Sequence, residues 1–471
     1  MKQKKQHNLP KSLIDFDLKD QKTIKLAQKL VQIPSLTPID AKDLPAARQS
    51  LDLIESLSKN LGAETYRLPF SGGHKKWDYE VDNLYVEFTI GSPDTEICYI
   101  GHTDVVPTGD EKKWTSPAFS GEINNGYLHG RGTTDMKGSV AAYLSAIDEL
   151  LSSTSENDPL NNIRIGILLT TDEEWAAVNG TQQILKWLKQ KGRNPDAFIV
   201  GEPSSHDTVA SHIKLGRRGS LCGTFNIKGT QGHAAYTELF ENPNRALALA
   251  VAILNDQTWS DGNAYFPNTN FETIAIESGN FKASAVVPAE AKLLWNIRYT
   301  PTQTPEGLQK WISERLQNPP QWAKHHKDYK SLKNIEVIAN IDTASLPYYS
   351  QPKKLAKAVS DAIQSVAGKL PIMDGSGGTT DGRFVQKFFP KSEIIELGLP
   401  ERGGISCHHK MQPLDYLKKG GMHQIDERAS LSDIISLKHI FKQSILNYQN
   451  STLPQTQKNA KNDNRRKPKF K

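Results

Sequence analysis

Residues 130–138 have the sequence GRGTTDMKG, in which glycines flank one carboxylate, Asp135. Glycine adopts backbone conformations that other residues avoid, so it allows tight turns next to a ligand. A helical pattern follows at residues 137–151. We therefore predict that this turn presents Asp135 at the mouth of a sheet. One such turn is a weak indication of function, and its meaning depends on the motifs around it.

Four short apolar runs of strand length lie on either side of this turn, and metal-ligand side chains follow three of them. His102 follows the second run, Glu173 and Glu174 follow the third, and Glu202 follows the fourth. Strands that alternate with helices predict a wound α/β sheet with some parallel strands. Such sheets bind ligands beyond the carboxyl ends of their strands, so we expect these side chains to meet there. The runs cover residues 83–90, 97–100, 163–169 and 197–200.

The acidic and imidazole side chains of these motifs match the needs of a site for two divalent metal ions. Such a site requires a bridging carboxylate, for which Asp135 is suited, and His and Glu ligands that leave a position for water. Glu173 is then available as general base and later general acid, and Asp104 is placed to accept the second ring N–H of His102. A single histidine or Glu-Glu pair is more often structural, but five motifs together favour a metal site. The predicted ligands are His102, Asp135, Glu174, Glu202 and His423.

The pattern changes between residues 217 and 340, where an alternating strand is followed by a helix, two strands, a second helix and a final strand. This order predicts a split βαβ sandwich inserted into the first domain. The chain then returns to the first domain through a helix at residues 353–366. The predicted organisation is an α/β catalytic domain formed by residues 18–216 and 341–450, an inserted α+β domain at residues 217–340, and a tail at residues 451–471.

Length and composition indicate a globular protein of more than one domain. The chain has 471 residues, which favours two domains. Its three cysteines are scattered and form no CxxC pair, which argues against a disulfide framework and a thiolate zinc site. No apolar run approaches the roughly 18 residues of a membrane span, and residues 1–8 show no secretory signal. We therefore expect a cytoplasmic protein without a membrane partner.

The net charge of +6 is concentrated after residue 454, where seven basic residues stand against one acidic residue, Asp463. The rest of the chain is therefore neutral overall. This segment has almost no apolar residues, so we expect it to be disordered. Contact with nucleic acid or another acidic surface is one interpretation. A solubilising end is the simpler one, and we do not expect nucleic acid as a partner.

Several of these motifs resemble those of the co-catalytic zinc aminoacylase and carboxypeptidase family. Three further segments, GRRGS at residues 216–220 and residues 376–384 and 422–427, are similar to the desuccinylase branch of that family. The similarity extends from about residue 26 to about residue 446. The family motifs are GHTDVVP at residues 101–107, GRGTTDMKG at 130–138, TDEE at 171–174, GEP at 201–203 and GHAAY at 232–236.

The resemblance implies a zinc-hydrolase catalytic domain with a mixed sheet, and an inserted domain that dimerises and acts as a lid. It also implies two zinc ions per subunit, which cobalt can replace. His102 and Glu202 would hold one ion, Glu174 and His423 would hold the other, and Asp135 would bridge them.

The desuccinylase branch implies hydrolysis of N-succinyl-LL-2,6-diaminopimelate to succinate and LL-2,6-diaminopimelate, a step toward lysine and cell-wall crosslinks. His233 would reach across a homodimer and stabilise the tetrahedral oxyanion; a packed lid histidine is the alternative. The substrate carboxylates need cationic forks and N–H donors. For Arg298 a structural ion pair is the alternative. The positions that match the family's substrate contacts are Arg217, Ser220, Arg298, Gly378 and Thr379.

The glycine-rich segment at residues 375–384 has two interpretations, a phosphate cradle or a pocket of backbone N–H groups for a carboxylate. It lacks the lysine of a P-loop, which favours the carboxylate pocket.

Two departures from the family pattern leave details open. Ser284-Ala285 stands where asparagines are usual, and the missing amide could cost about 1–3 kcal/mol of substrate binding. Another N-acyl amino acid, such as acetylornithine, or a small peptide is therefore the alternative substrate. An insertion at residues 400–421 contains Cys407, His408 and His409, and is a surface excursion, a flap or an extra metal site.

A binding or scaffold protein that keeps the fold is an alternative of another class. The presence of Glu173 argues against it, since a protein without catalysis has little physical reason to keep a base beside metal ligands.

Overall fold

The computed structural model describes residues 16–73, 79–152, 160, 162–206, 208–403 and 420–452. Residues 1–15, most of the 400–421 insertion with Cys407, His408 and His409, and residues 453–471 of the expected tail lie outside the described residues. Among the described helices, none combines the length and the apolar character that a membrane span requires.

The chain divides into two compact units. Among the described residues, the first unit contains those up to 215, residues 350–373 and those from 380 onward, and the second contains residues 216–349 and 374–379. The expected insertion at 217–340 lies entirely within the second unit. Residues 341–349 and 374–379, which we assigned to the catalytic domain from the sequence, belong to the second unit as well.

Nineteen strands are formed by the described residues. In chain order they are β1 (Glu64–Arg67), β2 (Asn83–Ile90), β3 (Thr95–His102), β4 (Glu122–Asn124), β5 (Tyr127–His129), β6 (Ile163–Thr170), β7 (Ala197–Val200), β8 (His212–Lys214), β9 (Gly216–Arg217), β10 (Gly219–Lys228), β11 (Gly232–His233), β12 (Asn270–Ser278), β13 (Val286–Val287), β14 (Glu290–Tyr299), β15 (Ile335–Ala339), β16 (Tyr348–Tyr349), β17 (Ile372–Asp374), β18 (Glu393–Glu396) and β19 (Arg428–Ser430).

Ten α-helices accompany these strands in the described part of the chain. They are α1 (Leu18–Val31), α2 (Leu44–Asn60), α3 (Gly138–Ser152), α4 (Thr181–Gln190), α5 (Pro243–Asn255), α6 (Pro305–Gln317), α7 (Gln321–Lys324), α8 (Lys354–Ala367), α9 (Gly382–Phe388) and α10 (Leu431–Thr452). The last helix includes the first two residues of the expected tail.

The first unit is built on an eight-stranded sheet in the order β1-β2-β6-β3-β7-β18-β8-β17. β3 pairs in parallel with β6 on one side and β7 on the other, and all eight of its residues are buried. A central parallel strand is covered on both faces, which explains its apolar ICYI core at residues 97–100. β1 and β2 run antiparallel. The predicted mixed α/β class is therefore confirmed.

In the same unit, helix α10 packs against α1, α3 and α8, and α1 also packs against α3. α1 begins at Leu18 because the side chain of Asp17 accepts the N–H of Asp20 at 2.8 Å, which satisfies one of the free donors of the first turn. A buried Lys438 on α10 contacts Asp20 on α1 and Glu149 on α3. These ion pairs tie the three helices together.

The second unit contains a four-stranded antiparallel sheet in the order β12-β14-β10-β15. Along the chain its elements follow the sequence β10, α5, β12, β14, α6 and β15, which is the order of a split βαβ sandwich. Its core contains Trp295, Phe225 and Phe271 from the sheet, and Ile253 and Leu308 from the two helices. Alternate positions of β10 and β14 are buried, because only one sheet face is covered.

Candidate metal centre

The three central strands of the first unit end beside one another and carry the predicted ligands. His102 is the last residue of β3, and it lies opposite Thr170 of β6 in the parallel register. Glu174 follows β6 and Glu202 follows β7. Parallel neighbours end at the same edge of a sheet. The strand order β6-β3-β7 is therefore the reason why residues far apart in sequence meet.

Asp135 lies between two histidines, one on each of its carboxylate oxygens. Its Oδ1 is 3.1 Å from Nε2 of His102, and its Oδ2 is 3.0 Å from Nε2 of His423. Each histidine also has a glutamate beside it. Glu202 Oε1 is 3.6 Å from the same nitrogen of His102, and Glu174 Oε1 is 3.1 Å from that of His423.

These distances fit a pair of metal ions. Two ligand atoms about 2.1 Å from one tetrahedral ion lie about 3.4 Å apart. The nitrogen-to-oxygen distances around His102 and His423 fall between 3.0 and 3.6 Å. The donors are imidazoles and carboxylates, which suit zinc and similar divalent ions. The residues present therefore fit two ions that share Asp135.

The protonation of the site also reflects an excess of buried carboxylates. Burial works to lower the pKa of His423, but its hydrogen bonds with Asp135 and Glu174 raise it to about 10. Burial likewise opposes protonation of His102, and its contacts with Asp135 and Glu202 still hold its pKa well above the usual range. Burial and the charge of Asp135 raise the pKa of Glu174 to about 7. Bound cations would offset this negative charge.

Glu173 lies within the same cluster. One ligand atom each of His102, Glu173 and Glu202 lie within 4.8 Å of one another. Burial, followed by the charges of Glu202 and Asp381, raises the pKa of Glu173 well above its usual range. A carboxylate with a raised pKa at this distance can exchange protons with a water molecule between the ligands.

Asp104 acts through different atoms from those that we predicted. The ring Nδ1 of His102 is 2.9 Å from the backbone carbonyl oxygen of Asp104 and 3.6 Å from its carboxylate. The carboxylate instead accepts the backbone N–H groups of Glu173 and Glu174 at 3.2 and 3.1 Å, and the hydroxyl of Thr37 at 2.9 Å. Asp104 thus orients the histidine with its main chain and the Glu173-Glu174 turn with its side chain.

Glycines allow the tight turn that carries Asp135. Gly130 and Gly132 have φ angles of +146° and +86°, which residues other than glycine rarely adopt. A Cβ atom on Gly132 would lie 2.7 Å from Val105. The turn is followed directly by α3.

Arg131 in this turn and Glu427 beside it form a contact that we did not identify from the sequence. Glu427 accepts the backbone N–H groups of Gly132 and Thr134 at 3.0 and 3.1 Å, and it forms an ion pair with Arg131 at 2.7 Å. Both residues lie inside motifs that the sequence displays, at residues 130–138 and 422–427. Their pairing is invisible there because almost 300 residues separate them.

The remaining predicted residues lie in the second unit. His233 ends β11, which pairs with β13, and its ring is exposed. Its Nδ1 accepts the backbone N–H of Ala235 at 3.1 Å. In a neutral imidazole that accepts at Nδ1, the proton is on Nε2, so His233 presents an N–H donor.

Ser220 and Arg298 are neighbours across the strand pair β10 and β14. Arg298 is half-buried, which lowers its pKa, and none of the residues described gives it a carboxylate at ion-pair distance. The structural ion pair that we considered for Arg298 is therefore not formed among the described residues. Arg217 is buried and donates to the backbone oxygen of Ser376 at 3.1 Å.

The glycine-rich segment at residues 375–384 begins in the second unit. Gly378 and Thr379 follow Gly377, whose φ is +103°. A Cβ atom on Gly378 would meet no atom within 4 Å, so the backbone there is accessible. The carboxylate of Asp374 accepts the N–H of Ser376 at 3.3 Å. The backbone N–H groups of Gly375, Ser376, Arg383 and Phe384 are therefore already hydrogen-bonded within the protein.

Comparison with known proteins places the chain in a family. A model described as peptidase family M20/M25/M40 matches residues 98–447. The succinyl-diaminopimelate desuccinylase of Hydrogenovibrio crunogenus is 37% identical over 426 residues, which cover 90% of this chain and 98% of the relative. The protein of the same name from Bradyrhizobium sp. is 35% identical over 420 residues, with coverage of 88% and 96%.

Solved structures share the fold at lower sequence identity. The M20 family metallo-carboxypeptidase Sso-CP2 from Sulfolobus solfataricus superposes with a TM-score of 0.67 at 19% identity, and covers 92% of this chain and 100% of its own. Human carnosine dipeptidase 1 has a TM-score of 0.65 at 16% identity, with coverage of 93% and 98%. Because the family model and the curated relatives both extend over most of the sequence, this chain belongs to peptidase family M20/M25/M40.

Proposed function

We propose that the chain is a metal-dependent amide hydrolase that cleaves N-succinyl-LL-2,6-diaminopimelate to succinate and LL-2,6-diaminopimelate, in diaminopimelate and lysine biosynthesis. The observation that carries this proposal is the position of Asp135, with one carboxylate oxygen 3.1 Å from His102 and the other 3.0 Å from His423. The relatives named succinyl-diaminopimelate desuccinylase support the choice of substrate.

The proposed cofactors are two zinc ions, which cobalt can replace. His102 and Glu202 would hold one ion, Glu174 and His423 the other, and Asp135 would bridge them. When bound, the two ions polarise the amide carbonyl and lower the pKa of the attacking water. The spacing of the donors around each histidine supports this assignment.

Proton transfer is the proposed role of Glu173. Its carboxylate removes a proton from the water that attacks the amide carbonyl, and later delivers a proton to the leaving nitrogen. Its raised pKa supports this role, since a carboxylate that holds a proton readily can act in both directions. Asp104 positions the turn that carries Glu173 by accepting its backbone N–H.

The oxyanion that forms at the carbonyl needs a hydrogen-bond donor. We propose that His233 of the partner subunit supplies it, which requires a homodimer. Two observations on the second unit support this idea. The Nε2–H of His233 is available for donation, and the edge strand β12 exposes Ile274 and Ile276 at 57% and 58%. An exposed apolar edge favours pairing with another chain.

Recognition of the substrate carboxylates is the proposed role of a polar set in the second unit. Arg298 has no carboxylate partner among the described residues and lies beside Ser220, so its guanidinium can donate hydrogen bonds to an anionic group of the substrate. Arg217 is the second cation, and the accessible backbone at Gly378 and Thr379 would add N–H donors.

The test is hydrolysis by the purified, zinc-loaded protein of N-succinyl-LL-2,6-diaminopimelate, N-acetylornithine and a dipeptide, measured as release of succinate, acetate or amino acid. We expect cleavage of the succinyl substrate with at least tenfold higher kcat/KM, which corresponds to about 1.4 kcal/mol. Protein treated with a chelator is the control and should be inactive. Preference for either other substrate would refute the assignment.

One observation favours a second candidate, a hydrolase of another N-acyl amino acid or a small peptide. Ala285 provides no side-chain amide where the desuccinylases are expected to carry one, and its backbone oxygen is already bonded to the N–H of Ala234 at 2.9 Å. The same three-substrate assay separates the two candidates. The cytoplasmic location and the absence of a nucleic-acid partner stay predictions.

A further inference from the structure

A buried ion pair, Arg131 with Glu427, lies next to the candidate ligands. The two side chains are 3% and 0% exposed, and Arg131 Nη1 is 2.7 Å from Glu427 Oε2. A buried pair of charges needs further hydrogen bonds to offset the loss of water. The other oxygen of Glu427 accepts the N–H groups of Gly132, Thr134 and Asp135 at 3.0, 3.1 and 3.4 Å. Glu427 therefore binds the backbone that presents Asp135.

Arg131 makes the corresponding contacts to the segment that carries His423. Its Nη2 donates to the backbone oxygen of His423 at 3.3 Å, and its Nη1 donates to that of Gln424 at 3.2 Å. Nη2 also lies 3.3 Å from the backbone oxygen of Pro107, in the loop after His102. His423 has a φ of +61°, a left-handed conformation that residues other than glycine adopt only when their surroundings hold them.

The fold brings these segments together through a small sheet. β5 and β19 pair so that His129 lies opposite Arg428, and the N–H of Gly130 donates to the backbone oxygen of Glu427 at 2.8 Å. The Asp135 turn and the His423 loop are therefore joined at their bases by a backbone hydrogen bond and by the adjacent ion pair of Arg131 and Glu427.

We propose that Arg131 and Glu427 are positioning residues that set the affinity of the site for its metal ions, by holding Asp135 and His423 in their relative geometry. The inference rests on the proposed two-metal hydrolase function and deepens it. Neither side chain touches substrate or reacting atoms in this proposal. Partners that orient metal ligands typically change metal affinity by about 10- to 100-fold when they are mutated.

A purely structural role predicts a different outcome, and the chain offers a matched control. Arg193 and Glu96 form another largely buried ion pair in the same unit, with the same distance of 2.7 Å. Glu96 is on β3, at the end away from His102. If an ion pair acts on the site only through general stability, changes in both pairs should alter metal binding alike.

The experiment compares Glu427→Gln and Arg131→Lys with Glu96→Gln and Arg193→Lys. Each metal-free protein is titrated with Zn²⁺ against a chromophoric chelator, and folding is checked by circular dichroism. We expect the first two variants to bind zinc about 10- to 100-fold more weakly, and the two control variants to bind it within about twofold of the unchanged protein. At saturating zinc, the kcat of Arg131→Lys should recover toward the original value. Unchanged zinc affinity in folded Glu427→Gln and Arg131→Lys would overturn the proposal.

A double variant covers the case in which a single change prevents folding. Arg131→Met with Glu427→Gln leaves no unpaired buried charge, and the new amide oxygen can still accept the N–H groups of the turn. We expect this protein to fold and to bind zinc more weakly, because Arg131 no longer holds the carbonyl of His423. If it does not fold, the pair belongs to the general stability of the unit and the proposal is wrong.

The titration also separates this proposal from the proposed function. If the unchanged protein binds zinc but does not cleave the succinyl substrate, the function fails and the role of the pair is still judged by zinc affinity. If it cleaves the substrate while Glu427→Gln binds zinc as tightly, the function stands and the role of the pair fails.

Discussion

The change Glu173→Gln separates a general base from a metal ligand. The carboxylate of Glu173 lies within 4.8 Å of ligand atoms of His102 and Glu202, a distance that permits either role. Glutamine keeps the size and one oxygen but cannot carry the proton. General acid–base catalysis contributes about 10²- to 10⁴-fold, which is about 2.7–5.4 kcal/mol of barrier at 1.36 kcal/mol per tenfold. We therefore expect kcat to fall by that factor with KM nearly unchanged, because the interaction forms only in the transition state.

The assay combines steady-state hydrolysis of the succinyl substrate with metal analysis of the purified protein. Glu173→Gln should retain the metal content of the unchanged protein. The adjacent Glu174→Gln is the control. It should lose metal because Glu174 is a proposed metal ligand, 3.1 Å from the second proposed ligand of the same ion, His423. A loss of metal in Glu173→Gln, or a kcat within tenfold of the original, would refute the assignment of Glu173 as the base.

Three further predictions concern pH, substrate binding and stability. Burial lowers the pKa of Lys137 from 10.5 to about 7. Between about pH 7 and pH 10.5 the unfolded chain therefore binds more protons than the folded protein, and the free energy of unfolding rises with pH. This rise should be smaller in Lys137→Met, measured by denaturant titration of the metal-free protein at several pH values. Arg298→Lys should raise KM by about 10- to 100-fold with little change in kcat, because a hydrogen bond to a charged group contributes about 1.5–3 kcal/mol. Lys438→Met should lower the free energy of unfolding by about 3–5 kcal/mol, since it leaves Asp20 and Glu149 without their buried cation, and kcat should not change.

Control variants and contradicting results test these predictions. An unchanged pH slope in Lys137→Met would show that the lysine stays charged in the folded protein. Arg315→Lys, in the same unit and paired with Asp256 at 3.5 Å, should leave KM unaltered; equal effects of both arginine changes would contradict a substrate role for Arg298. Lys442→Met removes a more exposed partner of Glu149 and should cost less stability than Lys438→Met.

Local patterns predicted the elements of the fold closely, because burial and backbone preference act over a few residues. The apolar run at residues 197–200 is strand β7, and the run at residues 97–100 is the centre of β3, which continues to His102. The first helix expected between residues 217 and 340 is α5, which starts at a proline that suits its first turn. Element ends were less predictable, as the extension of α10 to Thr452 shows.

The sequence predicted some of the residues that contact one another in the site, but not the atoms that make the contacts. The motifs identified His102 and Asp104 as partners, yet the ring bonds to the main-chain oxygen of Asp104, because the carboxylate is taken by the Glu173-Glu174 turn. Arg131 and Glu427 were not identified as a pair, since no local period connects a turn at residue 131 with a loop at residue 427.

The amino-acid sequence alone determines which residues can act as metal ligands, that His102, Glu174 and Glu202 follow buried strands, and that glycines free the turn around Asp135. These properties depend on side-chain chemistry and on interactions within a few residues. The tertiary structure alone decides that β6, β3 and β7 lie side by side, that His423 meets the second oxygen of Asp135, and that β5 pairs with β19 to join Arg131 to Glu427. Such pairings depend on the burial and hydrogen bonding of segments that lie tens to hundreds of residues apart, which no short stretch of sequence contains.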